Sequence, residues 1–222
     1  MKRLFEGEVY DTLPQPSGVV FSYCKDKEDE LIRVSYKMLS LENDKMTDVA
    51  KNIYLLSKFG SNYRNIIDRF ENHITTRTIA FSNGKVFALK DNGMAYLFSA
   101  EGDIIWEGIM LYRGNPPSDI AFHKGAIWAT FSQANVMIKY NMVNMKPEIR
   151  IGGSRTPFSN PKEIFLMDDY AIVSNPNINK LLRVNLNNYE VSDYKTFSEP
   201  VYSYTKIRDS EFVVMKSGLY QL

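Results

Sequence analysis

The chain has 222 residues, 44% of them hydrophobic and 24% charged, which excludes a disordered polymer and leaves enough apolar material for a well-buried core. A formal net charge of +1 removes the electrostatic case for a dedicated nucleic-acid or anionic-membrane binder. One cysteine, Cys24, allows no intrachain disulfide, and two histidines argue against a zinc site of the usual kind.

At the start of the chain, "MKRLFEGEVY" carries Lys2 and Arg3 with no apolar segment after them, so no signal peptide is read. No apolar stretch approaches the length of a membrane span. The expectation is a cytoplasmic, monomeric protein with no membrane and no nucleic-acid partner. Tyr (14), Phe (13) and abundant Val and Ile favour strands. Cys24 closes the apolar run "GVVFSYC" and reads as a structural thiol, and "KDKEDE" (25–30) reads as a solvated hairpin tip.

Five short segments line up along the chain: "QPSGVVF" (15–21), "TTRTIAF" (75–81), "PPSDIAF" (116–122), "NPKEIFL" (160–166) and "EPVYSYT" (199–205). Their reference positions, Pro16, Thr76, Pro117, Pro161 and Pro200, are 60, 41, 44 and 39 residues apart, and the two chain ends together supply 38 more. That remainder is close to one further repeat. It predicts a ring whose last repeat, "PVYSYTKI", "EFVVMKS" and "GLYQL", is completed by "KRLFEGEVY" from the other end of the chain. Four-stranded antiparallel units repeated radially in this way are the blades of a β-propeller.

The first repeat is the long one. Its opening strands read as "GVVFSY" and "LIRVSYKML". "NIYLLSKFG" (52–60) matches "MAYLFSAEG" (94–102) place for place and is read as the third strand, with "YRNIIDRF" (63–70) as the outer strand. A helical alternative stands for both: Met46, Val49, Ala50, Ile53 and Tyr54 fall at helical spacing before a possible C-cap at Gly60, and Tyr63, Ile66, Ile67 and Phe70 share a helical face. The second repeat is the cleanest, with "TIAFS", "KVFALK", "MAYLFSA" and "DIIWEGIML" separated by Asn83-Gly84, Asn92-Gly93 and Glu101-Gly102; Asn83-Gly84 is read as a type I′ turn. The third runs "DIAF", "AIWATF", "VMIKY", "EIRIGG", and the fourth "EIFLM", "YAIVS", "KLLRVNL", "YEVSDYKTF". The fold expected is therefore all-β, a five-bladed β-propeller in one domain, 1–222. Its blades are approximately 16–74, 75–114, 115–159, 160–198, and 199–222 together with 2–10. A six-bladed count, which divides the long first repeat, is the alternative and finds few turn signals there.

The phrase "PSDIAFHKGAIWATFSQANVMIKY" (117–140) resembles the NHL and YncE-like propeller repeat: Pro, a short apolar strand, Gly, a strand, a polar loop with Asn, and a strand ending in a basic-aromatic pair. "EGDIIW" (101–106) is similar to the Gly-to-Trp turn of PQQ-type blades. The resemblance implies the propeller superfamily and its fold. It implies little about function, because propellers serve as scaffolds, lectins, lyases and lactonases alike.

In such a ring the loops leading into each first strand surround a central channel. They carry Ser17, Arg77, Ser118, Asp119, Lys162, Glu163 and Tyr202, with Arg113 and Arg155 just upstream of two of them. One reading is a ligand pocket at the channel mouth formed by Arg77, Asp119, Glu163, Tyr202, Arg113 and Arg155. The other is that these residues satisfy backbone groups and one another. His123 sits in the turn "FHKGA" and His73 in the connection before the second repeat, neither with a companion for metal or nucleophilic chemistry. No catalytic residue, metal or cofactor is expected. The function expected is a non-enzymatic binding or scaffold propeller for a protein, peptide or small ligand. The alternatives are a carbohydrate-binding propeller and a lyase or lactonase.

Overall fold

Apolar positions alternating at period two between turn residues fold into twenty strands among the described residues, which are 1–28, 31–61, 63–70, 75–154 and 156–222 of the computed structural model. The chain begins with β1 (Lys2–Glu6) and continues through β2 (Val9–Gln15), β3 (Gly18–Glu28), β4 (Leu31–Ser40) and β5 (Met46–Asp48). Two helices follow, α1 (Lys51–Phe59) and α2 (Tyr63–Ile67). Next come β6 (Arg77–Ala80), β7 (Val86–Leu89), β8 (Met94–Phe98) and β9 (Ile104–Ile109). The third group is β10 (Asp119–His123), β11 (Ala126–Phe131), β12 (Val136–Asn141) and β13 (Pro147–Gly152). The fourth is β14 (Ile164–Leu166), β15 (Tyr170–Asn175), β16 (Lys180–Asn185) and β17 (Val191–Thr196), and the chain closes with β18 (Val201–Ile207), β19 (Ser210–Met215) and β20 (Gly218–Gln221).

These form five four-stranded antiparallel sheets, the blades of a five-bladed β-propeller. Four of them keep chain order. The fifth has the order β18-β19-β20-β1, so the N-terminal strand completes the C-terminal blade, with Lys2 opposite Gln221 and Glu6 opposite Gly218. The closure expected from the repeat arithmetic is present.

The chain packs as two compact units, Met1–Ala88 with Tyr96–Glu107 and Thr205–Leu222, and Leu89–Ala95 with Gly108–Tyr204. In the first, one core joins Val9, Val19 and Phe21 to Phe212, Val214 and Leu219, with Leu4 and Phe5 packed against it. A second core gathers Tyr54, Leu55, Phe59, Ile66 and Phe70 around Val20, Val86 and Phe98. In the second unit the core is Trp128, Met137, Ile151, Phe158 and Ile164 with Val173, Leu182 and Val184.

The first repeat departs from the expected plan in two ways. "KRLFEGEVY" is not one strand: β1 ends at Glu6 and, beyond Gly7, β2 opens the first blade at Val9, so that blade starts seven residues before Pro16. Pro16-Ser17 is then a hairpin tip between β2 and β3. Residues 51–59 are a helix, not the third strand, and 63–67 are also helical. The reason is visible in the side chains. Tyr54, Leu55, Lys58 and Phe59 are all buried, whereas Ile53 and Leu56 are exposed. A strand would send Tyr54 and Leu55 to opposite faces, but a helix keeps positions i, i+1, i+4 and i+5 on one. Gly60 ends α1 at φ 76°, its N–H donating to the Leu56 carbonyl at 2.9 Å.

The Asn83-Gly84 turn is also of a different type from the one expected. The Phe81 N–H donates to the Lys85 carbonyl at 2.9 Å and the Gly84 N–H to the Phe81 carbonyl at 3.0 Å. Only Gly84 is left-handed, at φ 80°. This is a three-residue loop, a type I turn followed by a left-handed glycine. The same pattern of bonds recurs at Lys90–Met94 and Ser99–Asp103. The two-residue type I′ geometry occurs instead at Tyr112-Arg113-Gly114-Asn115, where Arg113 has φ 51° and Gly114 φ 79°, and Tyr112 and Asn115 exchange both backbone hydrogen bonds.

Candidate functional site

Arg77, at the start of β6 in the first unit, faces Asp11 of β2, its guanidinium 3.8 Å from Asp11 Oδ1. Asp11 lies at the centre of a buried polar cluster. Lys58 Nζ is 2.7 Å from Asp11 Oδ2, the Tyr54 hydroxyl donates to the same oxygen at 2.8 Å, and Lys58 Nζ donates to the Tyr54 hydroxyl oxygen at 3.1 Å. Asp11 and Lys58 are 7% and 3% exposed, so the pair is closed to any ligand. Burial alone would raise the Asp11 pKa. The Lys58 and Arg77 charges, with hydrogen bonds from Lys58 and Tyr54, outweigh burial and hold it below the ordinary carboxyl value. The Tyr54 phenol is pushed far up, first by burial and then by the Asp11 charge.

In the second unit the Asp119 side chain and the backbone groups of Glu163 and Tyr202 enter hydrogen bonds close together in the fold. Asp119 Oδ2 accepts from the Ile164 N–H at 3.0 Å. The Glu163 N–H donates to Ser174 Oγ at 2.9 Å, and Ser174 Oγ donates onward to the Tyr202 carbonyl at 2.7 Å. Alongside, Thr130 Oγ1 donates to the Lys162 carbonyl at 3.1 Å and Ser132 Oγ to the Pro161 carbonyl at 2.7 Å, while Ser132 Oγ also lies within hydrogen-bond distance of Ser118 Oγ. Side chains of β10, β11 and β15 and their flanks thereby satisfy backbone groups of neighbouring first strands. Arg155 and His73 lie outside the described residues. His123 packs its Nε2 3.0 Å from the Asp168 carbonyl, which also accepts from Lys124 Nζ at 3.0 Å. Among the described residues no group of three or more His, Cys, Asp or Glu side chains could hold a metal ion.

Arg113 lies elsewhere, in a cleft of about 550 Å³ in the second unit. Tyr112, Arg113, Arg150, Ser154, Thr156 and Tyr189 supply its polar lining, and Val136, Ile151, Pro157 and Val191 its apolar lining. Val136 and Ile151 are buried and make the floor continuous with the core. Sequence and fold explain how these groups meet. The type I′ turn places Arg113 at its tip beside Tyr112, whose ring is tilted against the buried Phe131 with centroids 5.7 Å apart. β13 carries Arg150 opposite Ile138, with the side chain exposed. Arg150 Nη1 donates to the Tyr112 hydroxyl oxygen at 3.0 Å, and the Arg113 guanidinium stands 5.5 Å from the centre of the Tyr112 ring. The hydrogen bond from Arg150 chiefly, then the nearby positive charges, hold the Tyr112 phenol below the usual tyrosine value.

Of the sequence-predicted set, then, Asp119 accepts from the Ile164 N–H, Glu163 and Tyr202 are linked through Ser174 by their backbone groups, Arg77 faces a buried carboxylate, and Arg113 lines a cleft. Sequence reasoning missed Arg150, Tyr112 and Asp11. "YRGN" was the one available signal, because a Gly flanked by Asn in a short polar break is a turn and puts the preceding arginine at its tip.

No protein-family profile matches the chain, and no curated protein is similar to it in sequence. Solved structures share its fold. A Bacteroides caccae protein of unknown function superposes with a TM-score of 0.57 at 9% identity, over 97% of this chain and 77% of that one. A streptogramin B lyase gives 0.54 at 12% identity over 98% and 69%, and virginiamycin B lyase from Staphylococcus aureus 0.52 at 13% over 100% and 72%. A computationally designed protein, Ika4, gives 0.52 at 9% identity over 69% and 94%. At these identities the likeness is one of fold. No helix among the described residues is long and apolar enough to cross a membrane.

Proposed function

We propose that the protein is a non-enzymatic binding propeller that takes a small ligand in the cleft beside Tyr112, Arg113 and Arg150. The observation that carries this reading is the cleft itself. Its volume of about 550 Å³ lies inside the range of roughly 300–1,000 Å³ usual for small-molecule sites, and it joins an apolar floor to a few fixed polar groups. Binding rather than catalysis is favoured by the lining, which among the described residues holds no carboxylate, imidazole, thiol or amine. The shared fold with two lyases transfers no activity at 12–13% identity.

The test is a calorimetric and thermal-shift screen of small organic molecules against the wild type and Ser154→Trp, an exposed position on the cleft wall. Compounds that bind the wild type should bind the variant at least about tenfold more weakly, a cost of about 1.4 kcal/mol, with its melting temperature unchanged. Ligands that bind both forms equally would show that the cleft is not the site.

A further inference from the structure

We infer that the ligand of this cleft is a small organic anion, its carboxylate or phosphate head held by Arg113 and Arg150 and its apolar body laid on Val136, Ile151 and Val191. The inference rests on the reading above and concerns the chemistry of the same site. Its basis is an uncompensated pair of like charges. Arg113 and Arg150 are 37 positions apart in the chain, yet both guanidiniums are held against one phenol, over the ring and at its oxygen. Among the described residues the lining offers them no carboxylate. Glu148, two positions before Arg150 on β13, is already paired with Lys139 at 3.0 Å. Among the described residues neither arginine makes an ion pair. Two cations gathered at one phenol repel each other, and an anion that both can reach converts that repulsion into attraction.

The hydrogen-bond inventory agrees. A guanidinium offers a planar fork of donors that matches carboxylate and phosphate oxygens. Arg150 uses Nη1 on Tyr112, which leaves its other donors for a ligand. The Tyr112 oxygen accepts from Arg150, and its own proton remains to donate. Thr156 Oγ1 accepts from the Phe158 N–H at 3.2 Å and likewise keeps a proton to give. Ser154 adds an exposed hydroxyl. The polar side of the cleft is therefore rich in donors, whereas its floor is apolar. A bare inorganic ion would use only the first of these features; an organic anion uses both.

The experiment compares 2-naphthoate, phenyl phosphate, inorganic phosphate and the neutral 2-naphthalenemethanol by calorimetry, with chemical-shift mapping of the full chain. The organic anions should bind at least about tenfold more tightly than the alcohol and than inorganic phosphate, with shifts at Gly152, Gly153 and Ser154. Arg113→Ala and Arg150→Ala should each weaken them about tenfold, Arg150→Lys less, and added salt should weaken them further. The ratio of naphthoate to phenyl phosphate affinity identifies the preferred head. The Tyr112 phenol, assigned by its loss in Tyr112→Phe, should titrate at higher pH once an anion offsets the two guanidiniums. Equal binding of the alcohol and the acids at the cleft, or anion binding undiminished in the double alanine variant, would overturn the anion assignment and leave the cleft standing. Shifts that map away from residues 150–154, or binding unaffected by Ser154→Trp, would overturn the cleft as well.

Discussion

Asp11 and Lys58 are 47 positions apart and meet in a space closed to water. A buried ion pair adds little stability compared with apolar residues of the same shape, but removing Lys58 leaves the buried Asp11 carboxylate with only the more distant Arg77, at 3.8 Å, to offset its charge. Lys58→Met should therefore destabilise the protein by about 3–5 kcal/mol in chemical denaturation, and Asp11→Asn in the same background should recover part of that loss. The pH dependence has a defined sign. Because the folded Asp11 carboxyl is held below its ordinary value of 3.8, its contribution is present above that value and is lost as pH falls through the lower, folded one. Asp11→Asn should flatten the decline in stability below about pH 4. None of this was legible in the sequence. Lys58 in "LLSKFG" reads as a surface lysine, and only the helical turn that buries Tyr54 and Phe59 brings it inward. Arg77 was legible as a charged residue leading into a first strand, but its partner lies in β2, of which the repeat alignment gave only Val9 and Tyr10 to the closing blade and left Asp11 unassigned.

Between residues and blades, the elements show where pattern is sufficient and where it fails. Three consecutive turns of the second blade use one bonding scheme, and the strands between them fall where the repeat and its turn residues put them. The turn positions were legible because Gly and Asn have local reasons to be there. The turn type was not, since Asn83-Gly84 suits either a two-residue or a three-residue loop. α1 is the larger departure. Its sequence fits a blade strand in composition, and tertiary burial of one face decided for the helix. The helix is poorly started: Ala50, which is exposed, occupies the N-cap with no side-chain hydrogen bond, and the first turn has no acidic residue. Ala50→Ser or Ala50→Asp should stabilise the protein by about 0.5–1 kcal/mol, read as a higher denaturation midpoint at unchanged slope. A neutral result would mean that α1 is held entirely by packing.

For the whole molecule, the informative feature is the pairing of β1 with β20. It was legible because the leftover residues at the two ends summed to one repeat, an argument from length that needs no correct strand boundaries. The boundaries of the first blade were not legible, because its last strand has three residues and two helices follow it before the next blade, so the repeat has no fixed length to count. The pairing has a tight point. A Cβ on Gly218 would lie 2.0 Å from the Phe5 carbonyl oxygen, and the residue's φ of 148° suits glycine alone. Phe5 also packs edge-on against Phe21 and Tyr23, with ring centroids 5.3 and 4.8 Å away, so β1 joins its sheet and the neighbouring core at once. Gly218→Ala should force the two strands apart and lower the melting temperature by at least ~5 °C, and removing residues 2–6 should do more. Unchanged melting of both variants would contradict the closure.

This pairing also governs the order in which the protein can be made. Glu6 and Gly218 face each other across the blade, but a ribosome adding about 5–20 residues per second delivers the second roughly 10–40 s after the first. Throughout that interval β1 has no strand to pair with, and a bare edge is a template for joining other nascent chains. The charges on Lys2, Arg3 and Glu6, three of its five residues, are the kind that discourage such pairing until the C-terminal hairpin arrives.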